Sequence, residues 1–268
     1  MKIGVIGYKG QIGSSIVGCL EQEVLKIDRG TSSVKGINKL IVSTGIATSS
    51  SNYELCELEL RQFKEILNRF EFANIEEVYF VSSGGSTYEN NLGHPMYEDS
   101  KLSPKTPYGK LKLFEENLLK DTLKRFDSKL IVLRLANVFS HFRKGITGAI
   151  IQSIETLNSF NYTVAPDSIK QYGSNRDYGR VITNLVKSAK ALNKYETRNI
   201  YSPNIYRVNE IVNYFLKYSS NLQINPENNL LEKDDLILAT NYSYDFASNV
   251  QWTTLEKYFE DYLKGIMK

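Results

Sequence analysis

Short apolar segments alternate with segments of helical periodicity through the first half of the chain, and this alternation limits the folds open to it. The apolar segments are continuous rather than polar at every second position, which is typical of strands covered on both faces. We predict strands at KIGVIG, VLKID, KLIVSTG, EEVYFVSS and KLIVLRLANVF. We predict helices at QIGSSIVGCLEQ, LCELELRQFKEILNRF and YGKLKLFEENLLKDTLKRF. This order of elements indicates an α/β fold with a doubly wound parallel sheet.

The chain has 268 residues, which is enough for one large or two modest domains. After Phe139 the alternation loosens into one helix-like stretch with long flanking loops. We therefore predict a first domain at residues 1–138 and a smaller, loop-rich domain at residues 139–268. The alternative is that a segment of the second half returns to the sheet of the first domain.

The charge balance and the N-terminal segment exclude two classes of partner. Lys and Arg number 33 against 30 Asp and Glu, without the basic block that tracks a phosphate backbone, so we expect no nucleic-acid partner. The opening MKIGVIGYKGQIG resembles neither a signal peptide nor an apolar membrane span. We therefore expect a cytoplasmic protein without a membrane partner.

The cysteines and histidines predict no metal site. Cys19 and Cys56 lie in helix-like segments and lack zinc-type spacing, while His94 and His141 are isolated. Two cysteines of this kind are usually small buried apolar residues. We expect neither metal catalysis nor a Cys/His or Ser/His/Asp site.

A glycine-rich turn, GYKGQIG, joins the first predicted strand to the first predicted helix. Gly7, Gly10 and Gly13 allow a tight turn and a close approach of the backbone to a pyrophosphate. The free N–H groups at the helix start, near Gln11 and Ile12, would face that pyrophosphate. A purely structural turn is the alternative, but the position after the first strand favours a dinucleotide.

Asp28 closes the second predicted strand, about fifteen residues after the last glycine of the turn. An acidic residue there accepts hydrogen bonds from a ribose and repels a 2′-phosphate, which favours NAD. Arg29 and Lys9 are cations that would suit NADP, the alternative cofactor. An ordinary turn residue at the strand end is the alternative for Asp28.

Tyr108 and Lys112 lie four residues apart in a predicted helix. Thr106 can cap that helix, which places the tyrosine and the lysine on one face, one turn apart. Tyr97 and Lys101 have the same spacing, but they lie in a segment rich in Pro and Gly that predicts a loop. Because the chain contains 18 Tyr, spacing alone leaves a shared helix face as the alternative to a catalytic pair.

Several motifs together resemble one enzyme family. In chain order they are the glycine turn, a Ser-rich strand end followed by Tyr88, and the sequences PYGKLK, LRLANVF, RDYGRV and NIYSPNIYRVNEIVNYF. They resemble the extended short-chain dehydrogenases/reductases, specifically the nucleotide-sugar epimerases and dehydratases, over nearly the whole chain. The resemblance implies a Rossmann-type NAD-binding domain, a substrate-binding domain for a nucleoside-diphosphate sugar, and a homodimer through helices at 54–70 and 107–126.

The resemblance also implies catalytic roles. Tyr108 would transfer the proton of a sugar hydroxyl, because a nearby ammonium favours the phenolate. Lys112 would supply that charge and contact the nicotinamide ribose. A serine would hold the same sugar oxygen, and we choose Ser83 over Ser86, which we assign to the substrate side.

The remaining roles concern the two ligands. By resemblance, Thr44 and Gly45 would line the phosphate and ribose side of the cofactor. Asn137 and Arg176 would contact the substrate pyrophosphate, for which a guanidinium is well suited. A surface ion pair with Asp177 is the alternative for Arg176.

The sequence departs from the family pattern at two places. Gly84 stands where many members have Ser or Thr, and Gly84 and Gly85 replace the Asp-Glu pair of the dehydratases, so we expect no 4,6-dehydratase. The segment between Asp28 and Lys39 is too short for the helix and strand that members place there. We therefore predict that the sheet lacks one strand after Asp28 and that the adenine side is more open.

The function predicted from these residues is that of an NAD-dependent nucleotide-sugar epimerase, with polysaccharide biosynthesis as its expected setting. A 4-keto-sugar reductase using NAD(P)H is the alternative among enzymes. The alternative outside enzymes is a non-catalytic NAD-sensing or scaffold protein. An intact Tyr108 and Lys112 favours an enzyme, since a sensor needs neither.

Overall fold

The structure is a computed structural model of the chain. It describes residues 2–20, 24–28, 30–31, 34–89, 93–139, 142, 145–156, 160–162, 164–188, 193–217, 224–226 and 233–264. The strands are β1 (Ile3–Ile6), β2 (Val24–Ile27), β3 (Lys39–Val42), β4 (Glu77–Ser83), β5 (Lys129–Leu135), β6 (Asn137–Phe139), β7 (Phe160–Tyr162), β8 (Ile169–Ser174), β9 (Tyr195–Ile200), β10 (Ile205–Arg207) and β11 (Ile224–Pro226). The helices are α1 (Gln11–Cys19), α2 (Tyr53–Arg69), α3 (Gly84–Thr87), α4 (Pro107–Leu123), α5 (Gly145–Thr156), α6 (Asn175–Ser188), α7 (Val208–Leu216) and α8 (Leu255–Leu263).

Six parallel strands form the main sheet in the order β2-β1-β3-β4-β5-β9. The chain moves outward from β1 to β2 and then returns to the other side of β1 with β3. Ligands of open α/β sheets bind at such a reversal, beyond the carboxyl ends of the strands. The predicted doubly wound parallel sheet of the Rossmann type is confirmed.

The prediction of a missing strand is also confirmed. β2 is an edge strand, paired only with β1, and the described residues 30–31 and 34–38 form no further strand before β3 begins at Lys39. On its adenine side, the sheet therefore has fewer strands than the pattern of the family that the sequence resembles.

Adjacent residues of the strands face opposite sides of the main sheet, and both sides are buried. Val5 belongs to a core with α1 and α6, whereas Ile6 belongs to a second core with α2 and α4. Covering both faces explains why the strand sequences are continuously apolar. No described helix is both long and apolar enough to cross a membrane.

One predicted strand is divided in the structure. KLIVLRLANVF forms β5 in the main sheet and then, after Ala136, β6 in a separate three-stranded sheet of order β10-β8-β6. Ala136 still donates its N–H to the carbonyl of Ile200 in β9, at 2.9 Å. The chain therefore leaves the main sheet at its carboxyl edge, which places Asn137 at the junction of the two sheets.

The second half of the chain contributes to the main sheet. β9 pairs in parallel with β5, and α6 packs on α1 so closely that a Cβ on Gly179 would lie 2.8 Å from the Ser15 backbone carbon. The division of the chain at residue 138 stays a prediction. The predicted first helix, in turn, ends at Cys19 rather than three residues later, and residues 21–23 lie outside the described ones.

Candidate active site

A cleft of about 620 Å³ lies at the carboxyl edge of the main sheet. Its walls come from the turn before α1, the segment after β3, the end of β4, the start of α4 and the junction of β5 with β6. Of the predicted site residues, Gly10, Gln11, Ile12, Thr44, Gly45, Ser83, Ser86, Tyr108, Lys112 and Asn137 line it. Gly7, Gly13, Asp28 and Arg176 do not.

The glycine turn beside the cleft makes backbone contacts that leave no room for a side chain. Gly7 has a φ of +82°, and a Cβ there would lie 2.2 Å from the carbonyl oxygen of Ser43. A Cβ on Gly13 would lie 2.2 Å from the carbonyl oxygen of Gly7. Helix α1, which starts at Gln11, has no side-chain cap and no acidic residue in its first turn. Its first N–H groups are therefore available to an anion.

Asp28 is exposed at the end of β2, beside the glycine turn. Its carboxylate accepts a hydrogen bond from the Tyr8 hydroxyl at 3.2 Å and forms an ion pair with Lys9 at 3.1 Å. The hydrogen bond from Lys9 lowers the pKa of Asp28. The acidic residue and one of the competing cations thus neutralise each other in part. Arg29, the other predicted cation, lies outside the described residues.

Thr44 and Gly45 lie where the resemblance implies, in the segment that follows β3. The Thr44 hydroxyl oxygen is buried and has no hydrogen-bond partner among the described residues. Because buried hydroxyl groups in proteins are usually hydrogen-bonded, this one is open to a polar group of a ligand.

The start of α4 is held against α3, which directly follows β4. The Thr106 hydroxyl accepts a hydrogen bond from the Gly109 N–H at 3.1 Å, as expected for the predicted cap. A Cβ on Gly109 would lie 2.0 Å from the carbonyl oxygen of Ser86, so only glycine permits this approach. Deeper in the helix, Glu116 forms a buried ion pair with Arg134 of β5 at 2.7 Å. These contacts fix the helix that carries Tyr108.

Ser83, Tyr108 and Lys112 meet in the cleft. Ser83 is close enough to Tyr108 to work against the increase in the pKa of its phenol, and Lys112 Nζ lies 5.5 Å from the centre of the Tyr108 ring. The second pair with this spacing lies elsewhere: the side chain of Tyr97 is 40% exposed, and Lys101 pairs with Glu89.

Two glutamates that the sequence analysis missed surround Lys112. Its Nζ lies 2.9 Å from Glu59 Oε1 on α2 and 2.8 Å from Glu115 Oε2 on α4, and all three side chains are buried. A sequence signal was available, because Glu59 falls between Cys56 and Phe63 on the apolar face of its helix.

The glutamates change the electrostatics expected at Tyr108. Burial raises the pKa of the Tyr108 phenol; Lys112 works against this increase, but Glu59 and Glu115 add to it. Burial alone lowers the pKa of Lys112, yet the acidic neighbours, Glu115 first, raise it above its ordinary value. In the protein without a ligand, the lysine is therefore firmly protonated while the tyrosine is a weaker acid than a free tyrosine.

On the substrate side, the structure separates the two residues expected to bind a pyrophosphate. Asn137 lines the cleft and donates to the carbonyl of Gln171 at 3.2 Å. Arg176 is exposed in the first turn of α6 and outside the cleft lining. Burial raises the pKa of the Cys19 thiol on α1, and Arg176 is near enough to work against that increase.

A different cation lines the cleft. Lys170 lies on β8, is 7% exposed, and forms an ion pair with Asp234. Tyr172, two positions along the same strand, lines the cleft as well. Alternating residues of a strand share a face, so the sequence KQY carried a signal for this pair once β8 was recognised as a strand. Among the described residues, no group of three potential metal ligands occurs.

Comparison with known proteins identifies the family. Residues 39–200, well over half of the chain, match the NAD dependent epimerase/dehydratase family. The chain belongs to this family. NAD is thus the cofactor of the family, and the resemblance noted in the sequence is confirmed.

The proteins to which this chain is similar include enzymes of several reactions. A dTDP-4-dehydro-6-deoxyglucose reductase of Escherichia coli is 32% identical over 123 residues, which are 45% of this chain and 37% of the relative's length. A UDP-glucose 4-epimerase of Thermotoga maritima, solved with UDP-glucose, is 18% identical with a TM-score of 0.73 and covers 98% of this chain and 100% of its own. TunA, an NAD-dependent NDP-hexosamine 5,6-dehydratase of tunicamycin biosynthesis, is 14% identical with a TM-score of 0.78 and covers 98% and 96%. The epimerase and dehydratase structures share one fold with this chain although their reactions differ, so the reaction has to be argued from the site.

Proposed function

We propose that this chain is an NAD-dependent enzyme that transfers a hydride to and from a nucleoside-diphosphate sugar, and that it is an epimerase. The observation that carries the proposal is the convergence of Ser83, Tyr108 and Lys112 in one cleft with the glycine turn. Neither the tyrosine nor the lysine would need this arrangement in a protein that only senses a nucleotide.

The residues of the cleft fit NAD. The uncapped N–H groups at the start of α1 suit its pyrophosphate, and the Thr44 hydroxyl is available to one of its polar groups. When bound, NAD accepts a hydride from a sugar carbon and can return it to the opposite face of that carbon. The proximity of Asp28 to the turn favours NAD over NADP.

The protein residues handle the proton. Tyr108 would take the proton of the sugar hydroxyl as the hydroxyl becomes a carbonyl, and would give it back in the reverse direction. Ser83, which lines the same cleft as Tyr108, would hold the same sugar oxygen. The positive charge of Lys112 would stabilise the phenolate that forms.

The substrate side would hold the diphosphate and the sugar. Asn137 and Ser86 line this part of the cleft, and Lys170, which also pairs with Asp234, is the buried cation that would contact a phosphate or a carboxylate there. Gly84 and Gly85 follow Ser83 and supply neither an acid nor a base, so elimination of water is not the proposed reaction. The exposed position of Arg176 makes it the weaker candidate for a phosphate contact.

The second candidate is a 4-keto-sugar reductase that uses NAD(P)H as a dissociable substrate. Two observations favour it: the 32% identity to a reductase and the edge position of β2, which leaves the adenine side more open. An open adenine side would favour exchange of the cofactor, which a reductase needs in every turnover.

The nucleotide carried by the purified chain tests the proposal. We expect tightly held NAD, identified by mass spectrometry after denaturation, and interconversion of two epimeric nucleoside-diphosphate hexoses without net change in the cofactor. An empty protein that oxidises NADH or NADPH in the presence of a 4-keto sugar is a reductase. Bound NAD without turnover of either class of substrate contradicts the enzyme proposal.

A further inference from the structure

The buried cluster around Lys112 contains one positive and two negative groups at full ionisation. Lys112 is 3% exposed in its side chain, Glu59 4% and Glu115 0%. A net negative charge in such a buried place is unfavourable, and it is removed when one of the carboxylates binds a proton. Glu115 and Glu59 are close enough to share a hydrogen bond once one of them is protonated.

The two glutamates are not equivalent. Glu59 Oε2 accepts hydrogen bonds from the N–H groups of Ile46 and Ala47, each at 2.7 Å. Glu115 Oε1 has no hydrogen-bond partner among the described residues, although it is buried. Backbone donors stabilise the ionised form of Glu59, so Glu115 is the carboxyl group that holds the proton.

The N–H donors of Lys112 are all used by contacts within the protein. Besides the two carboxylates, its Nζ lies 3.5 Å from the carbonyl oxygen of Thr44. An ammonium group has three N–H donors, so these contacts use all of them. A hydroxyl of a bound cofactor can gain a hydrogen bond from Lys112 only if one of the present partners is released.

We propose that Glu59 and Glu115 are positioning residues for Lys112 and that the two carboxyl groups share one proton. Glu59 holds the lysine in place. When a cofactor binds, Glu115 gives up its contact with the lysine, which turns to the cofactor, and Glu115 keeps the proton. The inference rests on the proposed roles of Tyr108 and Lys112. It adds that the protonation of Glu115 sets how much of the lysine's charge acts on the tyrosine.

The titratable groups that face Glu115 favour it as the carboxyl group that holds the proton. They are Lys112 and Tyr108 on the same helix and Glu59 and Cys56 on α2. Burial raises the pKa of Glu115 to about 7, with Glu59 adding to the increase and Lys112 opposing it. The pKa of the Cys56 thiol is raised by burial, so this group stays neutral where Glu115 titrates.

The free protein provides the first test, which needs neither cofactor nor sugar. A raised pKa in the folded state means stability that is present below the ordinary carboxyl pKa and lost as pH rises through about 7. Glu115→Gln keeps the size of the side chain and cannot ionise. We expect the melting temperature of wild type to fall by a few degrees relative to this variant between about pH 5 and 8.

Two further variants make the test specific. In Glu59→Gln, Glu115 becomes the only counter-ion of Lys112 and stays ionised, so the pH-dependent loss relative to Glu115→Gln disappears. Glu57→Gln, an exposed position on the same helix as Glu59, is the matched control and follows wild type. Parallel melting curves for wild type and Glu115→Gln would overturn the shared proton.

Calorimetry with NAD, in two buffers of different ionisation enthalpy, tests the release of Lys112. Near pH 7.5 we expect wild type and Glu57→Gln to take up a fraction of one proton on binding, and Glu115→Gln to take up none. With a sugar that wild type turns over, Glu115→Gln should leave the apparent pKa of Tyr108 close to that of wild type, because a carboxyl group that keeps its proton is already neutral in the complex with NAD. Equal proton uptake in wild type and Glu115→Gln overturns the positioning role. Absence of turnover in wild type bears on the proposed function alone, since the melting and calorimetric results still decide the inference.

Discussion

The Tyr108 hydroxyl is the atom on which the proposed chemistry depends most directly. Tyr108→Phe removes that oxygen without disturbing α4, so we expect turnover to fall by about 10²- to 10⁴-fold while NAD affinity and melting temperature stay close to wild type. Steady-state kinetics, calorimetry and thermal melts measure the three quantities. Tyr97→Phe, in the exposed pair of the same spacing, is the control and should change none of them. Activity retained by Tyr108→Phe would show that another residue is the base.

Asp28 and Lys9 form an exposed pair beside the turn that would bind the cofactor's pyrophosphate. We expect wild type to bind NAD more tightly than NADP, because the carboxylate repels a 2′-phosphate. Asp28→Ala should narrow this preference, and Lys9→Met should widen it, as titration calorimetry with both cofactors can measure. Tighter binding of NADP by wild type would mean that the cations outweigh Asp28.

Lys170 and Arg176 are the two cations that compete for the role of substrate phosphate contact. Lys170 lines the cleft and Arg176 is exposed outside it, so Lys170→Met should weaken nucleotide-sugar binding by about 1.5–3 kcal/mol and leave NAD affinity unchanged. Arg176→Met is the matched variant and should alter neither affinity. If Arg176→Met weakened nucleotide-sugar binding and Lys170→Met did not, Arg176 would be the phosphate contact, as predicted from the sequence, and α6 would have to close over the substrate.

At the scale of the element, the position of α4 depends on the close contact between its first turn and α3, which directly follows β4. Gly109→Ala places a methyl group against the carbonyl oxygen of Ser86, so the helix start has to move away from Ser83. We expect a loss of about 1–3 kcal/mol in the free energy of unfolding, measured by denaturant titration, together with a loss of turnover.

Gly18→Ala is the control for that substitution. Gly18 lies in α1, and a methyl group added there would meet no atom of another element within 4 Å. Alanine also has the higher helix propensity, so stability should hold or rise. If Gly109→Ala matched this behaviour, α4 would tolerate displacement and the catalytic geometry would not depend on the contact.

At the scale of the whole molecule, α2 and α4 present exposed apolar side chains on the outside of the main sheet. Tyr53 is 60% exposed, Phe114 48% and Leu58 38%. A dimer through these helices, as the sequence predicts, would cover them. We expect light scattering to give the mass of a dimer for wild type and of a monomer for Phe114→Asp.

Ile205 provides the control for the dimer. It is 51% exposed on β10, in the second sheet, so Ile205→Asp should leave the dimer intact. A monomeric wild type would contradict the prediction, and a dimer in both variants would move the interface to another surface.

The features that the sequence alone determined are those set by local physics. Continuous apolar strands, a glycine turn with a residue that must adopt positive φ, and a Thr106 cap before a proline each depend on neighbours in the chain. They were enough to predict the parallel sheet and the helix that carries Tyr108 and Lys112, whereas the absent strand after Asp28 was predicted by comparing the short segment there with the family pattern. The family motifs then related these elements to a cofactor and a sugar.

Tertiary structure decided what depends on residues far apart in the chain. Glu59 and Glu115 meet at Lys112 because α2 packs beside α4. The apolar face of α2 indicates that Glu59 is buried, but nothing in the sequence indicates that it faces Glu115 and Lys112. The chain leaves the main sheet after Leu135, which brings Lys170 on β8 to the cleft and leaves Arg176 exposed on the following helix. Periodicity reports which face of an element is buried, whereas the packing of elements decides which buried charges face each other.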